Sequence, residues 1–529
     1  MKEKYIIIHD LGTSSNKAVL TSVHGKFIQA CQHDYPLYYL SNDQVEQEPN
    51  DWYNAVCAST QDLLKKTAIA PAEIVGMTFS AQAQTVLAID RQGNPLMRAL
   101  SWLDTRAADI MREKLWKPPR ILGYNPFHLL RFIRITGGSP GQTGKDPIGK
   151  CLWIKKYRPD VFAKTWKFIE AKDFITYKLT GNLIKSIDQA VVWWLLDTRK
   201  NRNVWHPKLC ELAGITADHL PALKPSASIA GYLNEQAAKE TGLVAGIPLI
   251  TGAGDISSAA VGGGAVEEGD LCIRLGTSGG VTGHFRKRKI DIPHYTGCIG
   301  STWPRDFYLG IAHQETAGAC LEWLKNNVLY HRKQLQEESK EKEIYPILDQ
   351  LAATAPAGSK GLFFTPWMFG ERSPLDDDHV RAGMHNVSLH HKREDLIRAI
   401  FEGVALNTRW ALETLEKLYW SVPSARLIGG GARSHTWCQI MADATNHTIY
   451  QIANPQYANA IGAGLLASLT LGYIDSFASI KKYIPIENTF KPNPKYRDLY
   501  DSQFREFKKL YKQNRKWFAR INRHDVSQL

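Results

Sequence analysis

The chain predicts an α/β protein made of two similar halves, and three observations carry that prediction. Apolar runs of strand length alternate with longer helical patterns. The segment Tyr5-Ile6-Ile7-Ile8-His9-Asp10-Leu11-Gly12-Thr13-Ser14-Ser15 returns in altered form at Leu271-Cys272-Ile273-Arg274-Leu275-Gly276-Thr277-Ser278-Gly279. At 529 residues the chain also exceeds what one hydrophobic core organises.

The first half holds strand runs at Tyr5 to Ile8, Ile74 to Phe79, Val86 to Ile89 and Pro248 to Thr251. The polar, Gly- and Pro-rich stretch Thr136 to Pro147 reads as a loop. Its Gly144-Lys145 looks like part of a Walker phosphate loop, but Ser139 replaces the first glycine, Asp146 replaces Ser or Thr, and no strong strand precedes it. From about 264 to 475 the pattern repeats, with a strand at Ala425 to Ile428, a glycine turn and a helix from about Trp437. The expected domains are residues 1–263 and 264–529. The charged run His331 to Glu343 reads as a solvated helix face, and Tyr496 to Phe518 as a terminal, basic amphipathic helix in a tail that starts near residue 490.

Composition excludes several classes. No apolar run reaches the roughly 18 residues of a membrane span, and the N-terminus lacks a signal-peptide profile, so a cytoplasmic protein is expected. The eight cysteines are scattered, without zinc spacing. The net charge of +13 is spread along the chain and densest from Lys508 to Arg523, which fits a solvated basic face and no specific nucleic acid.

Each candidate motif is ambiguous alone. A strand ending in Gly-Thr-Ser with apolar residues beyond it reads as a hairpin whose turn offers N–H groups and hydroxyls to a phosphate. Asp10 directly precedes the first such turn, where a divalent cation would bridge carboxylate and phosphate; a turn aspartate capping its own backbone is the alternative. Lys17 offers a neutralising charge or is an exposed strand lysine. Asp255, in Gly252-Ala253-Gly254-Asp255, is balanced between a base for an attacking hydroxyl and an N-cap. Gly429-Gly430-Gly431 allows close backbone approach to a ring or phosphate.

Taken in order, Asp10 to Lys17, Gly252 to Asp255, Leu275 to Gly279 and Gly429 to Ala432 resemble the FGGY carbohydrate kinases of the actin-like ATPase superfamily. Glu46 to Pro49 with Trp52, Trp102 to Arg106, Lys172 to Phe174, Ala317 to Ala319 before Trp323, and Gly370 to Pro374 extend the resemblance over nearly the whole chain. It implies two ribonuclease-H-like domains around a catalytic cleft, where ATP and Mg2+ meet a small-molecule sugar or polyol. Asp255 would be the general base and Asp10 would hold the metal. Thr13, Ser14, Ser15, Lys17, Gly276 and Thr277 would face the phosphates, and Gly318, Glu322, Gly430, Gly431, Ala432 and His435 the rest of the nucleotide. Gln82, Ala83, Gln84, Asp104, Asp255 and Ile256 would meet the substrate.

The sugar side departs from the family pattern. Xylulokinases and gluconokinases resemble Gln-Met-His-Gly or Ala-Met-His-Ser where this chain has Gln82-Ala83-Gln84-Thr85, and Ile256 stands where Asn or Gln is frequent. Ala83 and Ile256 remove hydrogen-bond partners while Gln84 retains one. The insertion Pro118 to Pro147 is a candidate to reach over the cleft or to form an oligomer contact. Motif wording is closest to xylulokinase-like members, so a pentulose is the expected substrate, with another ketose, polyol or sugar acid as alternatives. A nucleotide-dependent binding protein of the same superfamily is the reading from another class, a sugar sensor without kinase activity a third, and a homodimer the candidate assembly.

Overall fold

The computed structural model describes residues 3–41, 43–121, 123–200, 202–329 and 344–522. Strand β1 (Tyr5–Leu11) carries Ile6, Ile7 and Ile8, all fully buried, as suits β-branched side chains on a pleated surface. The turn at residues 12–14 returns it antiparallel into β2 (Ser15–Ser22), which pairs antiparallel with β3 (Phe27–Asp34). On its other side β1 pairs in parallel with β4 (Ile74–Ala81). Parallel pairing requires a crossover, supplied by helix α1 (Pro49–Thr67), whose Trp52, Val56 and Leu63 pack into the core beneath the sheet. Strands β5 (Ile229–Tyr232), β6 (Pro248–Ile250) and β7 (Ala253–Gly254) complete seven strands in the order β5-β6-β4-β1-β2-β3, with β7 also on β4.

The segment between β4 and β5 builds a core of its own around Met111, Phe132, Ile148 and Trp193. Its helices α2 (Pro126–Thr136) and α3 (Pro147–Tyr157) flank the loop expected at Thr136 to Pro147, and the short α4 (Ile187–Val191) follows.

After α5 (Asp255–Gly262) the pairing scheme of the first half recurs. β8 (Leu271–Leu275) turns antiparallel into β9 (Gly279–Phe285). β10 (Thr296–Gly300) and β11 (Tyr308–Gln314) extend that side, and β12 (Ser424–Ile428) lies parallel to β8. With β13 (Thr448–Ile452) and β14 (Ile486–Phe490) the order is β10-β11-β9-β8-β12-β13-β14. The long α6 (Arg393–Leu418) is the crossover between β11 and β12 and contributes Ile400, Val404 and Leu412 to the second core.

The helix expected from Trp437 begins two residues earlier, as α7 (His435–Thr445), because the Ser434 hydroxyl caps it by accepting the Trp437 N–H at 2.8 Å. α8 (Ala458–Thr470) packs on the first sheet, with Ala460, Ala463 and Ala467 against Ile6, Ile8 and Val19. It also crosses α5, whose Ala259 to Val261 share an apolar cluster with Ile428, Ile461 and Leu465. A crossed pair of helices, one from each half, therefore joins the two sheets. The terminal helix α9 (Arg497–Ile521) buries Tyr500, Phe504, Phe507 and Phe518, as its apolar stripe predicts. The charged run His331 to Glu343 lies outside the described residues. No helix is long and apolar enough to cross a membrane among the described residues.

Candidate active site

The first Gly-Thr-Ser turn is pinned from three sides. Gly12 donates its N–H to the Ser15 carbonyl (2.9 Å), the Tyr35 hydroxyl donates to the Gly12 carbonyl (2.6 Å), and the Gln47 amide to the Thr13 carbonyl (2.7 Å). The Trp102 indole donates to Thr13 Oγ1 at 2.9 Å, so the Thr13 proton is free to point elsewhere. Ser14 is exposed at the tip, Ser15 starts β2, and Lys17 is exposed opposite Asp10 in the strand register.

The second turn is held by its own neighbours. Ala317 N–H donates to the Thr277 carbonyl (2.9 Å) and Gly318 N–H to the Gly276 carbonyl (2.8 Å). Three glycines permit this approach: a Cβ on Gly318 would lie 2.7 Å from the Gly276 oxygen, one on Gly429 2.6 Å from the Leu275 oxygen, and one on Gly431 2.7 Å from the Leu275 side chain. Gly429 also has φ +95°, a conformation glycine adopts without strain. Gly430, between Gly429 and Gly431, faces open space, with nothing within 4 Å of an added Cβ. Ala432 is buried and its carbonyl accepts from Gln451, whereas Thr277, Glu322 and His435 are exposed, the last with its ring centroid 5.8 Å from Phe490.

Asp255 starts α5, the position its Gly254-Asp255 turn predicts. Its Oδ1 accepts the Ile256 N–H at 2.8 Å, and the Gly254 N–H before it is held by Asp188 at 2.7 Å. Burial pushes the Asp255 carboxyl up, the Arg274 guanidinium pulls it down, and the Asp188 charge pushes it up again. Arg274 donates to His313 Nδ1 (3.1 Å) and to Ser278 Oγ (3.4 Å), so one cation sits between the second turn and Asp255. No motif marks Arg274, although a lone cation inside an otherwise apolar strand is a signal for it. Across from Asp255, burial raises Asp10 to about 6; Ser80 and Asn459 hydrogen bonds and the Lys17 charge act against the shift, while the Asp255 charge adds to it.

Where the sequence places the substrate, Gln82 donates its amide to Gln47 Oε1 (3.1 Å), and its own buried Oε1 has no protein partner. Gln84 adopts φ +66°, a strained conformation for a non-glycine residue. Three contacts enforce it: its N–H donates to Glu170 (2.5 Å), its carbonyl accepts from Lys150 (2.8 Å), and its amide donates to Asp146 Oδ1 (3.1 Å). Asp146 also accepts from the Trp194 indole (2.6 Å) and the Gly141 N–H (2.8 Å). The end of the 118–147 insertion is thus built into the pocket wall. Lys145 beside it turns its ammonium toward the Trp102 ring, 6.0 Å away, with no ion pair among the described residues.

Asp104 is a correction. Its side chain is fully buried, its Oδ2 bonded to the Val45 N–H (2.8 Å) and ion-paired with Arg106 (2.7 Å), which in turn reaches Glu46 (2.9 Å). Its Oδ1 takes the Arg106 N–H, and with no exposed surface Asp104 braces the wall from inside and does not face a substrate. Ile256 packs partly into the apolar cluster between the halves. From the C-terminal half, Arg372 pairs with Glu315 at 2.5 Å, and buried Glu371 holds both backbones by accepting their N–H groups at 2.9 Å each.

Known proteins are similar to this chain in sequence and in fold. The profile of the FGGY family of carbohydrate kinases, N-terminal domain, matches residues 5–262, and that of the C-terminal domain residues 271–471. The xylulose kinase of Staphylococcus epidermidis is 27% identical over 520 residues, covering 98% of this chain and 99% of its own. The gluconokinase of Bacillus subtilis is 27% identical over 507 residues, covering 94% of each. The ligand-bound xylulose kinase from Lactobacillus acidophilus has the same fold, with a TM-score of 0.85 at 24% identity over 98% of this chain and 100% of that one.

Proposed function

Since the chain belongs to the FGGY family of carbohydrate kinases, enzymes that transfer the γ-phosphoryl of ATP to a sugar, we propose that its substrate is a pentulose and that Asp255 is the base. The observation that carries the reading is the position of Asp255: at the start of α5, within the field of Asp10 on one side and of Arg274, beside the second Gly-Thr turn, on the other. Asp255 takes the proton of the attacking hydroxyl, the hydroxyl oxygen bonds to the γ-phosphorus, and the bond to the bridging oxygen breaks to release ADP. The Thr13 and Thr277 turns hold the phosphates and the Gly429–Gly431 platform the nucleotide. Gln82 and Gln84 meet the sugar hydroxyls, and the unpartnered Gln82 oxygen suits a donor hydroxyl. The relatives named xylulose kinase support a pentulose.

Among the described residues no group of three His, Cys, Asp or Glu forms a metal cage. A single carboxylate with nucleotide phosphates is how Mg2+ usually binds, and Asp10, pushed up to about 6 without a cation beside it other than Lys17, fits that role. Bound there, Mg2+ would neutralise phosphate charge. The expected pH profile follows. Protonation of Asp10 removes the metal ligand as pH falls through about 6, so kcat/KM should decline on the acid side and the limb should move to lower pH as Mg2+ is raised. An acid limb insensitive to Mg2+ would remove Asp10 from metal binding. The eight unbridged cysteines and the use of ATP fit a cytoplasmic enzyme.

A second reading is favoured by Lys145 and Arg274, cations in the cleft without hydrogen-bonded carboxylate partners, and by the gluconokinase relatives. It makes the substrate a sugar acid. ADP release measured over D-xylulose, other ketoses, polyols and aldonates decides between them; stimulation by aldonate alone, lost in Lys145→Gln, would select the acid, and no stimulation by any compound would overturn the kinase proposal. In either case Asp146→Ala, which frees Gln84 and strands two donors, should raise the KM for sugar about tenfold with a smaller change in kcat.

A further inference from the structure

We infer that a second cavity, between the two halves and separate from the catalytic cleft, binds a compact anion carrying two phosphates. The cavity has a volume of about 220 Å³ and is lined by Arg199, Lys200, Arg286, Arg288 and Arg305, with Asp306 as its acidic member. Asp255, Thr13, Thr277, Gln82 and Gln84 are not among its lining residues. Arg199 is paired with Asp197 and Arg286 with Glu268, but Arg288 spends its donors on neutral acceptors: Thr198 Oγ1 (2.7 Å), the Ile135 carbonyl (3.3 Å) and the Arg134 carbonyl (3.1 Å). Neither Lys200 nor Arg305 has an ion pair among the described residues, and both are exposed at the cavity rim. A neighbouring hollow shares Arg199 and adds Arg131, Arg134 and Lys208, so positive potential accumulates over this face.

Such a concentration of cations costs self-repulsion that a bound anion relieves, and guanidinium groups fit phosphate oxygens in pairs. The volume lies below the roughly 300–1,000 Å³ of drug-sized ligand sites, which disfavours a nucleotide and favours a group the size of pyrophosphate. The cavity also bridges the halves: Arg199 and Lys200 belong to the first, Arg286, Arg288 and Arg305 to the second. Its floor includes Ile187 and Val191 of α4, while Asp188 on the same short helix holds the Gly254 N–H at 2.7 Å directly before Asp255. An anion here would clamp the halves and stiffen the helix that positions the catalytic turn.

The test uses inorganic pyrophosphate titrated by calorimetry into the whole protein with the cleft saturated by AMP-PNP. One site is expected, with affinity reduced tenfold or more in Arg305→Glu/Lys200→Glu, and with amide exchange at residues 187–191 and 254–262 slowed by pyrophosphate in the wild type alone. Because the readout is binding, it stands apart from whether the sugar assignment holds. Loss of pyrophosphate binding once AMP-PNP is present, or equal affinity in the variant, would overturn the site. Binding without slowed exchange would overturn the coupling to α4.

Discussion

Asp255→Asn is expected to lower sugar-stimulated ADP release by about 10²- to 10⁴-fold, the range associated with losing a positioned general base. The effect should be chemical and not structural. Asparagine keeps an oxygen that accepts the Ile256 N–H, now 2.8 Å from Asp255 Oδ1, and Gly254, the residue that begins the turn into α5, is unchanged. The Gly254 N–H remains held by Asp188 at 2.7 Å. Nucleotide affinity and thermal midpoint should therefore remain close to wild type while kcat collapses. If the variant kept a rate within tenfold of wild type, Asp255 would be only a first-turn residue of α5, and the base would have to be sought elsewhere.

Gly462→Ala is expected to destabilise the protein strongly and to impair catalysis at a distance. An added Cβ would lie 2.1 Å from the Ser258 carbonyl oxygen and 2.5 Å from the Gly262 nitrogen. Both obstacles are backbone, so no rotamer change relieves them, and α5 and α8 must move apart. Overpacking of this kind costs on the order of 1–3 kcal/mol or more. These helices also carry site residues at their first turns: Asp255 begins α5, and Asn459, next to the start of α8, hydrogen-bonds Asp10. Separating them shifts Asp255, the proposed base, relative to Asp10, the proposed metal ligand, so kcat should fall in protein that remains folded. Thermal unfolding together with steady-state rates checks both effects, and a variant with unchanged midpoint and unchanged kcat would mean that the close approach of α5 and α8 matters to neither. Gly262→Ala, with a Cβ 1.8 Å from the Ala458 oxygen, should behave in the same way.

What could be read from the chain alone was what short segments encode. The isoleucine run and the Gly-Thr-Ser turn are local, and each hairpin closes within a few residues, as Gly12 to Ser15 does. Asp255 and the three glycines were visible for the same reason, since a strand-to-helix turn constrains its own residues. Asp104 was misplaced because nothing near it in sequence announces that Val45 will take one oxygen and leave it sealed inside. Arg274 carried a local signal, but its link to His313, 39 positions away, did not.

The sequence by itself determined that this protein has two related α/β halves, a Gly-Thr-Ser turn in each, and an aspartate on a strand-to-helix turn, because periodicity and turn chemistry are short-range properties. Tertiary structure alone decided that Gln84 is strained against Asp146, 62 residues away, that α5 and α8 cross through facing glycines, and that arginines from both halves surround one cavity. Those contacts depend on chain segments brought together only once long loops have closed and the core has packed, and no local pattern records which partner each side chain will find.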